Sequence, residues 1–149
     1  MVAPLFAAEA RQALAVNLQF TRGRHGAAAR IELVDGPGGR LATLLLLGWV
    51  DLPAGRRIEQ TLEDLAARGA ARLVIDCSQL RHIDYRMMGR LVAAIGRFEQ
   101  RAGAVAVCGL SRYLQDLFRL AGCDVQLQRW PSAAHVLAAA HGHAGEIAS

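Results

Sequence analysis

The segment Leu73–Gly89 constrains the fold of this chain more than any other stretch. It begins with the apolar run Leu73-Val74-Ile75 and then Asp76, which predict a buried strand and its end. Polar residues from Cys77 to His82 predict a loop, and Tyr85–Gly89 predicts the start of a helix. A junction of this kind exposes backbone N–H groups and the positive end of the helix dipole. We therefore expect a functional surface there.

The rest of the chain alternates between strand and helix signals. Two apolar segments, 30–34 and 41–47, flank the turn sequence Asp35–Gly39 and predict a β-hairpin. Apolar residues then recur at helical spacing in four segments: 54–68, 87–101, 112–121 and 133–140. Short apolar strands lie between these helices: 72–75, 104–108 and 125–127. This order predicts an α/β fold, in which an N-terminal β-hairpin precedes alternating helices and strands, and helices pack on a mixed, mostly parallel sheet.

The size of the chain predicts one domain. Of its 149 residues, 53% are hydrophobic, which is enough apolar material for a core. We assign this domain to residues 30–140. Residues 1–29 form an N-terminal extension, for which a helix, an extra strand and disorder all stay open. Residues 141–149 are expected to be a disordered tail.

Charge and cysteine content exclude several classes of function. All 17 basic residues are arginines, yet the formal net charge is only +4, and no basic run alternates with aromatic residues. We therefore expect no nucleic-acid partner. The three cysteines lack metal-site spacing, and so few of them suit a reducing compartment. Because no apolar run reaches membrane-spanning length and no signal peptide is visible, we expect a cytoplasmic protein without direct membrane insertion.

Three carboxylates lie at or just past the C-terminal ends of predicted strands, the edge where α/β proteins bind ligands: Asp51, Asp76 and Asp84. Such a group could hold Mg²⁺ or accept a phosphoryl group, but helix capping and loop bracing explain it more simply. No P-loop, nucleophile elbow, zinc-binding or Ser-His-Asp motif is present. We expect no catalytic residue, metal, cofactor or enzymatic activity.

The helix predicted after the loop divides into three strips at about 100° per residue. The buried strip contains Met87, Leu91, Ile95 and Phe98. The second strip contains Arg86, Arg90, Arg97 and Arg101, and the third contains Gly89, Ala93 and Gly96. This pattern predicts a docking face, with an arginine ridge for an acidic partner beside a shallow groove for its helix. The alternative is a solvated charged face whose small residues pack against another part of this chain.

Four short motifs, taken in order, resemble the STAS domain of anti-sigma factor antagonists. They are Gly48-Trp49-Val50-Asp51, Asp76-Cys77-Ser78, Ile83–Gly89 and Leu117–Gly122. The resemblance covers about residues 30–140, and the order of the predicted elements matches as well. It implies a STAS-like fold and a non-enzymatic protein-interaction module. Such a module binds an anti-sigma factor or another ATPase-type partner, often a Ser kinase.

The resemblance places partner contacts at the loop and the following helix. The residues concerned are Asp51, Asp84, Tyr85, Arg86, Met87, Gly89, Arg90, Ala93 and Arg97. Tyr85 occupies the position of the family's regulatory, phosphoacceptor serine, and Arg86 and Met87 replace the family's Ser-Gly pair. Because a Ser/Thr kinase cannot phosphorylate a tyrosine, we expect partner binding without the usual phospho-switch.

Two other functions stay open at this point. One is the STAS subunit of a phospholipid-transport ABC system, which would dock on the transport ATPase. The other is a sensor that binds a small ligand at the Asp51–Asp84 edge. The sequence also leaves open whether the chain forms a homodimer. We expect a charge reversal of both Arg90 and Arg97 to abolish partner binding without unfolding the domain.

Overall fold

The fold is seen in a computed structural model, which describes residues 14–123 and 129–137. The strands are β1 (Leu14–Gln19), β2 (Ala28–Gly36), β3 (Gly39–Val50), β4 (Ala70–Ile83), β5 (Val105–Cys108) and β6 (Arg129–Trp130). The helices are α1 (Leu52–Ala67), α2 (Tyr85–Arg101) and α3 (Arg112–Leu120), and residues 133–137 are also helical. None of the helices within these ranges is long and apolar enough to cross a membrane.

The strands form one mixed sheet in the order β1-β2-β3-β4-β5-β6. The pairs β1–β2 and β2–β3 are antiparallel, whereas β3–β4, β4–β5 and β5–β6 are parallel. The hairpin between β2 and β3 is closed by Asp35 and Arg40, whose carboxylate and guanidinium lie 2.6 Å apart. This contact with Arg40 holds the pKa of Asp35 below its usual value. The predicted α/β architecture, with an initial hairpin and then alternating helices and strands, is confirmed.

The core lies between the sheet and the pair of helices α1 and α2. Its largest fully buried side chains include Leu44 and Leu46 of β3, Ile58 and Leu62 of α1, and Met87 of α2. A buried leucine of this kind stabilises the fold by about 1.5–3 kcal/mol through removal of its apolar surface from water. Met87 packs on Gly55. A Cβ atom added to Gly55 would lie 2.2 Å from the Cε of Met87. The glycine therefore lets α1 and α2 approach each other.

The predicted loop from Cys77 to His82 is wrong, because β4 continues to Ile83. The polar segment pairs in parallel with the end of β3, and His82 lies opposite Trp49. The register shifts between Leu45 and Leu47 and again between Gly48 and Trp49. These irregularities break the alternation of buried and exposed side chains, so that β4 lacks the pattern that identifies a strand in sequence.

The N-terminal extension contributes a strand to the sheet. Residues 14–19 form the edge strand β1 against β2, and β2 itself begins at Ala28. The sheet thus extends on both sides of the proposed boundary at residue 30, which stays a prediction. The predictions for residues 1–13, the strand 125–127, the end of the last helix at 138–140 and the tail 141–149 lie outside the described residues.

The cysteines are small buried side chains. Cys77, Cys108 and Cys123 are all buried free thiols. Burial raises the pKa of Cys77, and it raises that of Cys108 to about 11. Because the thiolate is the reactive form of cysteine, these two thiols are unsuited to nucleophilic chemistry.

Candidate functional site

The junction predicted to be functional lies where β3 and β4 end and α1 and α2 begin. Asp51 caps α1, and its Oδ1 accepts a hydrogen bond from the Ala54 N–H at 2.9 Å. Asp84 caps α2, and its Oδ1 accepts one from the Arg86 N–H at 2.9 Å. The Asp84 N–H also donates to the Val50 carbonyl at 2.7 Å, which fixes the two helix starts side by side.

The three candidate carboxylates act locally rather than as a ligand set. Asp51 and Asp84 are helix caps, as expected, and Asp76 Oδ1 accepts a hydrogen bond from the Ser78 N–H at 2.9 Å. Within residues 14–123 and 129–137, no group of three His, Cys, Asp or Glu side chains is arranged to hold a metal ion. Each of the three carboxylates thus accepts a hydrogen bond from a backbone N–H two or three residues further along the chain.

Asp84 and Arg86 form an ion pair at the N-terminal end of α2. The Arg86 Nη2 lies 2.8 Å from Asp84 Oδ2, and the Arg86 Nε lies 3.1 Å from Oδ1. Hydrogen bonds from the side chain and the backbone of Arg86 lower the pKa of Asp84 to about 2. The carboxylate therefore stays charged at neutral pH. The Arg86 side chain remains 69% exposed, so it is still accessible beside the helix start.

Tyr85 lies at the surface at the start of α2 and is 57% exposed. Its hydroxyl donates a long hydrogen bond, 3.4 Å, to the carbonyl oxygen of Leu120 at the end of α3. The Leu120 side chain is itself 75% exposed. These two residues place apolar surface next to the cap of α2. The sequence does not predict that Leu120 contributes to this surface, because its proximity to Tyr85 depends on how α3 packs.

Met87 is predicted to contact a partner, but the fold buries its side chain. Its side chain is fully buried against Gly55. It cannot reach a partner, and its role is to hold α2 against α1. This burial agrees with the apolar strip of the helical projection.

The arginine strip is only partly free. Arg90 Nε lies 2.9 Å from Glu59 Oε1 on α1, and Arg90 Nη2 donates to Glu59 Oε2 at 3.2 Å. Arg97 Nη2 lies 4.0 Å from the same Oε2. The Glu59 side chain is only 15% exposed, whereas the two arginines are about half exposed. Arg90 and Arg97 therefore join α2 to α1 while still presenting charge to solvent.

The strip of small residues on α2 is open. Ala93 is exposed, and a Cβ atom placed on Gly89 or Gly96 would have no described atom within 4 Å beyond the helix itself. Packing of this strip against another part of the chain is therefore not observed within the described ranges. The open strip lies on the same helix as the exposed Tyr85.

Comparison with known proteins agrees with this fold. The family model described as "Mlab, STAS domain" matches residues 24–129. An anti-sigma factor antagonist from Mycobacterium paratuberculosis is similar in structure, with a TM-score of 0.61 and 17% identity over 78% of this chain and 96% of that one. A search of curated proteins finds no match.

The anti-sigma factor antagonist SpoIIAA is similar in two states. Its unphosphorylated form has a TM-score of 0.57 and 16% identity over 68% of this chain and 89% of that one. The phosphorylated form of SpoIIAA from Bacillus has a TM-score of 0.52 and 15% identity over 67% and 90%. At these identities, the likeness concerns the fold.

Proposed function

Because the chain belongs to the STAS domain family, we propose that it is a non-enzymatic, cytoplasmic interaction module that binds an anti-sigma factor or a related kinase-like ATPase. The contact region, called the docking surface below, has Tyr85, Gly89, Ala93 and Leu120 at its centre. Its charged rim consists of Asp51, Asp84, Arg86, Arg90 and Arg97.

The open strip on α2 is the main observation that supports this proposal. A glycine in a helix interior costs about 1 kcal/mol relative to alanine, and α2 contains two on one face. Since no described atom fills the space above Gly89 or Gly96, packing of the described chain does not explain them. Small side chains let the backbone of another helix come close. A partner helix laid along this strip would use that space.

The apolar centre and charged rim also suit a protein partner. Aromatic side chains are enriched at the centres of protein interfaces, and charged groups lie mainly at the rims. Tyr85 and Leu120 provide exposed apolar surface at one end of the strip. Arg90 and Arg97 border it on the side of α1, where Glu59 fixes their position. An acidic partner surface would complement this rim.

Regulation by serine phosphorylation does not fit the docking surface of this chain. The helix start carries Tyr85 and Arg86 where the family pattern has serines. Ser111 accepts a hydrogen bond from the Leu114 N–H at 3.1 Å and caps α3. Ser78 lies on β4 and not at the start of α2, where the family's phosphoacceptor serine is expected. We therefore propose that partner binding is constitutive or is controlled by another means.

The missing phosphoacceptor also favours a second candidate, the STAS subunit of a phospholipid-transport ABC system. Such a subunit would dock on the transport ATPase through the same surface. The two candidates differ in the identity of the ATPase, and only capture of the partner separates them.

A matched pair of variants tests the docking surface. Ala93→Arg places a long side chain in the open strip, whereas Ala67→Arg places the same side chain at an exposed position of α1. Each bait is incubated with lysate of the source organism, and the captured ATPase is then purified and titrated by calorimetry. We expect the wild type and Ala67→Arg to bind it and Ala93→Arg to lose at least about tenfold in affinity.

The identity of the captured protein and the two variants decide between the outcomes. A kinase-like ATPase supports sigma-factor control, whereas a transport ATPase supports the second candidate. Equal binding by all three baits would contradict the assigned surface. A small molecule retained in native mass spectrometry, with no ATPase captured, would contradict the interaction module and favour a sensor. Thermal unfolding of each variant controls for the fold.

A further inference from the structure

A second exposed site lies at the C-terminal edge of the sheet. Four aromatic rings from separate segments form a row there: His25, Trp49, His82 and Tyr113. Their neighbouring ring centroids lie 4.4, 5.0 and 5.8 Å apart. The Tyr113 hydroxyl lies 2.7 Å from His82 Nδ1. Trp49 is thus held between two imidazoles while 40% of its surface stays exposed.

The row borders a cleft of about 420 Å³, which we call the edge cleft and which is lined by Arg24, His25, Trp49 and Arg81. The loop that carries Arg24 and His25 is held in place by hydrogen bonds. The Phe20 and Thr21 N–H groups both donate to the Ala27 carbonyl, at 2.9 and 3.1 Å. The edge cleft therefore has one ordered wall before any ligand binds, which lowers the entropic cost of binding.

Two glycines fix this loop against β3. Gly48 has φ +84°, and a Cβ atom on it would lie 2.0 Å from the Gly26 carbonyl oxygen. Only glycine accommodates both the left-handed backbone and this close approach. The contact sets the loop beside Trp49 and brings His25 onto the indole ring. The local sequence thus builds the wall of the edge cleft.

The edge cleft is positively charged, and none of the described residues that line it is acidic. Its four lining residues include Arg24 and Arg81 but no carboxylate. Neither arginine has an ion pair or hydrogen bond within the part of the chain that the structure describes. By contrast, Arg30, Arg40 and Arg86 each pair with a nearby carboxylate. Two guanidiniums beside an exposed indole are therefore available to carboxylates of a ligand.

We propose that the edge cleft binds an acidic polypeptide segment. Its carboxylates pair with Arg24 and Arg81, and its backbone packs on the part of the Trp49 side chain that stays exposed. Guanidinium groups suit this ligand because they bind carboxylates in a bidentate manner, and Trp and Arg dominate the energetics of many protein interfaces. The inference rests on the proposed function only in taking the ligand as part of a protein partner. It adds a contact separate from the strip on α2.

The test uses a short peptide of alternating Glu and Gly, with alternating Gln and Gly as the neutral control. Binding is followed through the indole N–H signals in NMR spectra, where Trp130, whose Nε1 is buried, is the internal reference. We expect the Trp49 signal to move with the acidic peptide only. Arg24→Glu with Arg81→Glu should weaken this binding at least about tenfold, because two charge-assisted contacts are lost.

A matched charge reversal controls for net charge. Arg68→Glu with Arg72→Glu changes two exposed arginines near the opposite edge of the sheet and alters the net charge equally. This control, together with Ala93→Arg, should retain affinity for the peptide. Retention by Ala93→Arg separates the edge cleft from the docking surface, so that either proposal can fail alone.

Three results would overturn the inference. The first is a Trp49 signal that does not respond to the acidic peptide. The second is equal weakening by both pairs of charge reversals, which would indicate attraction by net charge alone. The third is binding to vesicles of phosphatidylglycerol through Arg24 and Arg81 with no peptide binding, which would assign the edge cleft to an anionic lipid surface instead.

Discussion

Glu59 of α1 and Arg90 of α2 form an interhelical ion pair, with 2.9 Å between Arg90 Nε and Glu59 Oε1. The carboxylate is largely buried and is shared with Arg97, 4.0 Å away. Arginines that the sequence predicts for a partner therefore also hold two helices of the same chain together. This dual role changes how the charged rim can be tested.

Charge reversal at the two arginines is expected to destabilise the domain as well as weaken partner binding. Arg90→Glu with Arg97→Glu would place three carboxylates around one partly buried site. We expect the free energy of unfolding to fall by about 1–3 kcal/mol, between the values for exposed and buried pairs. Urea titration measures this change. Adding Glu59→Arg should restore much of the lost stability, and a triple variant no more stable than the double would contradict the pair.

Substitutions in the open strip, unlike the charge reversals, are expected to stabilise the domain. Gly89→Ala and Gly96→Ala introduce methyl groups that meet no described atom. Each should raise the free energy of unfolding by about 0.5–1 kcal/mol, because alanine has the higher helix propensity. Chemical denaturation of the single variants measures this gain. A loss of stability would mean that part of the chain outside the described ranges covers the strip.

Local chemistry explains which elements were predictable from the sequence. Asp51 and Ser111 identify helix starts because a cap acts within three residues of itself. The extension of β4 is not predictable from the sequence, because its polar residues pair with β3 across register shifts. The edge cleft is not predictable either, because Trp49 and His82 become neighbours only through the parallel register.

Long-range packing explains what the sequence could not predict at the docking surface. Glu59 and Arg90 are separated by 31 residues, and Tyr85 and Leu120 by 35. A helical projection places Arg90 on a surface strip but contains no information on the helix beside it. It therefore separates buried Met87 from exposed Ala93, but it cannot show that Arg90 and Arg97 contact Glu59.

The pair of Asp84 and Arg86 predicts a pH dependence of stability on the acidic side. The folded-state pKa of Asp84 is about 2, whereas an aspartate in an unfolded chain titrates near about 3.9. A lowered folded-state pKa stabilises the fold above the unfolded value. This contribution should be complete above about pH 4 and lost as the pH falls towards about 2.

Asp84→Asn isolates this contribution, because asparagine also caps helices but carries no charge. We expect the wild type to be the more stable protein at pH 5 and the difference to shrink as the pH falls. Guanidinium denaturation at several pH values measures it. Asp35 is present in both proteins, so its own lowered pKa does not affect the comparison. A difference that stays constant down to about pH 2 would contradict the assigned ion pair.

Gly48 connects the stability of the loop with the proposed ligand of the edge cleft, and Gly69 provides a matched control. Both glycines have φ +84°, but a Cβ atom would lie 2.0 Å from the Gly26 carbonyl oxygen at position 48 and meet no described atom at position 69. Gly69→Ala should therefore cost only the left-handed strain, about 1–2 kcal/mol. Gly48→Ala should cost about 1–3 kcal/mol more, because the loop must move.

Denaturation curves measure both costs, and NMR titration with the acidic peptide should show weaker binding only for Gly48→Ala. Equal costs and unchanged peptide binding for the two variants would show that the contact between Gly48 and Gly26 does not position the wall of the edge cleft.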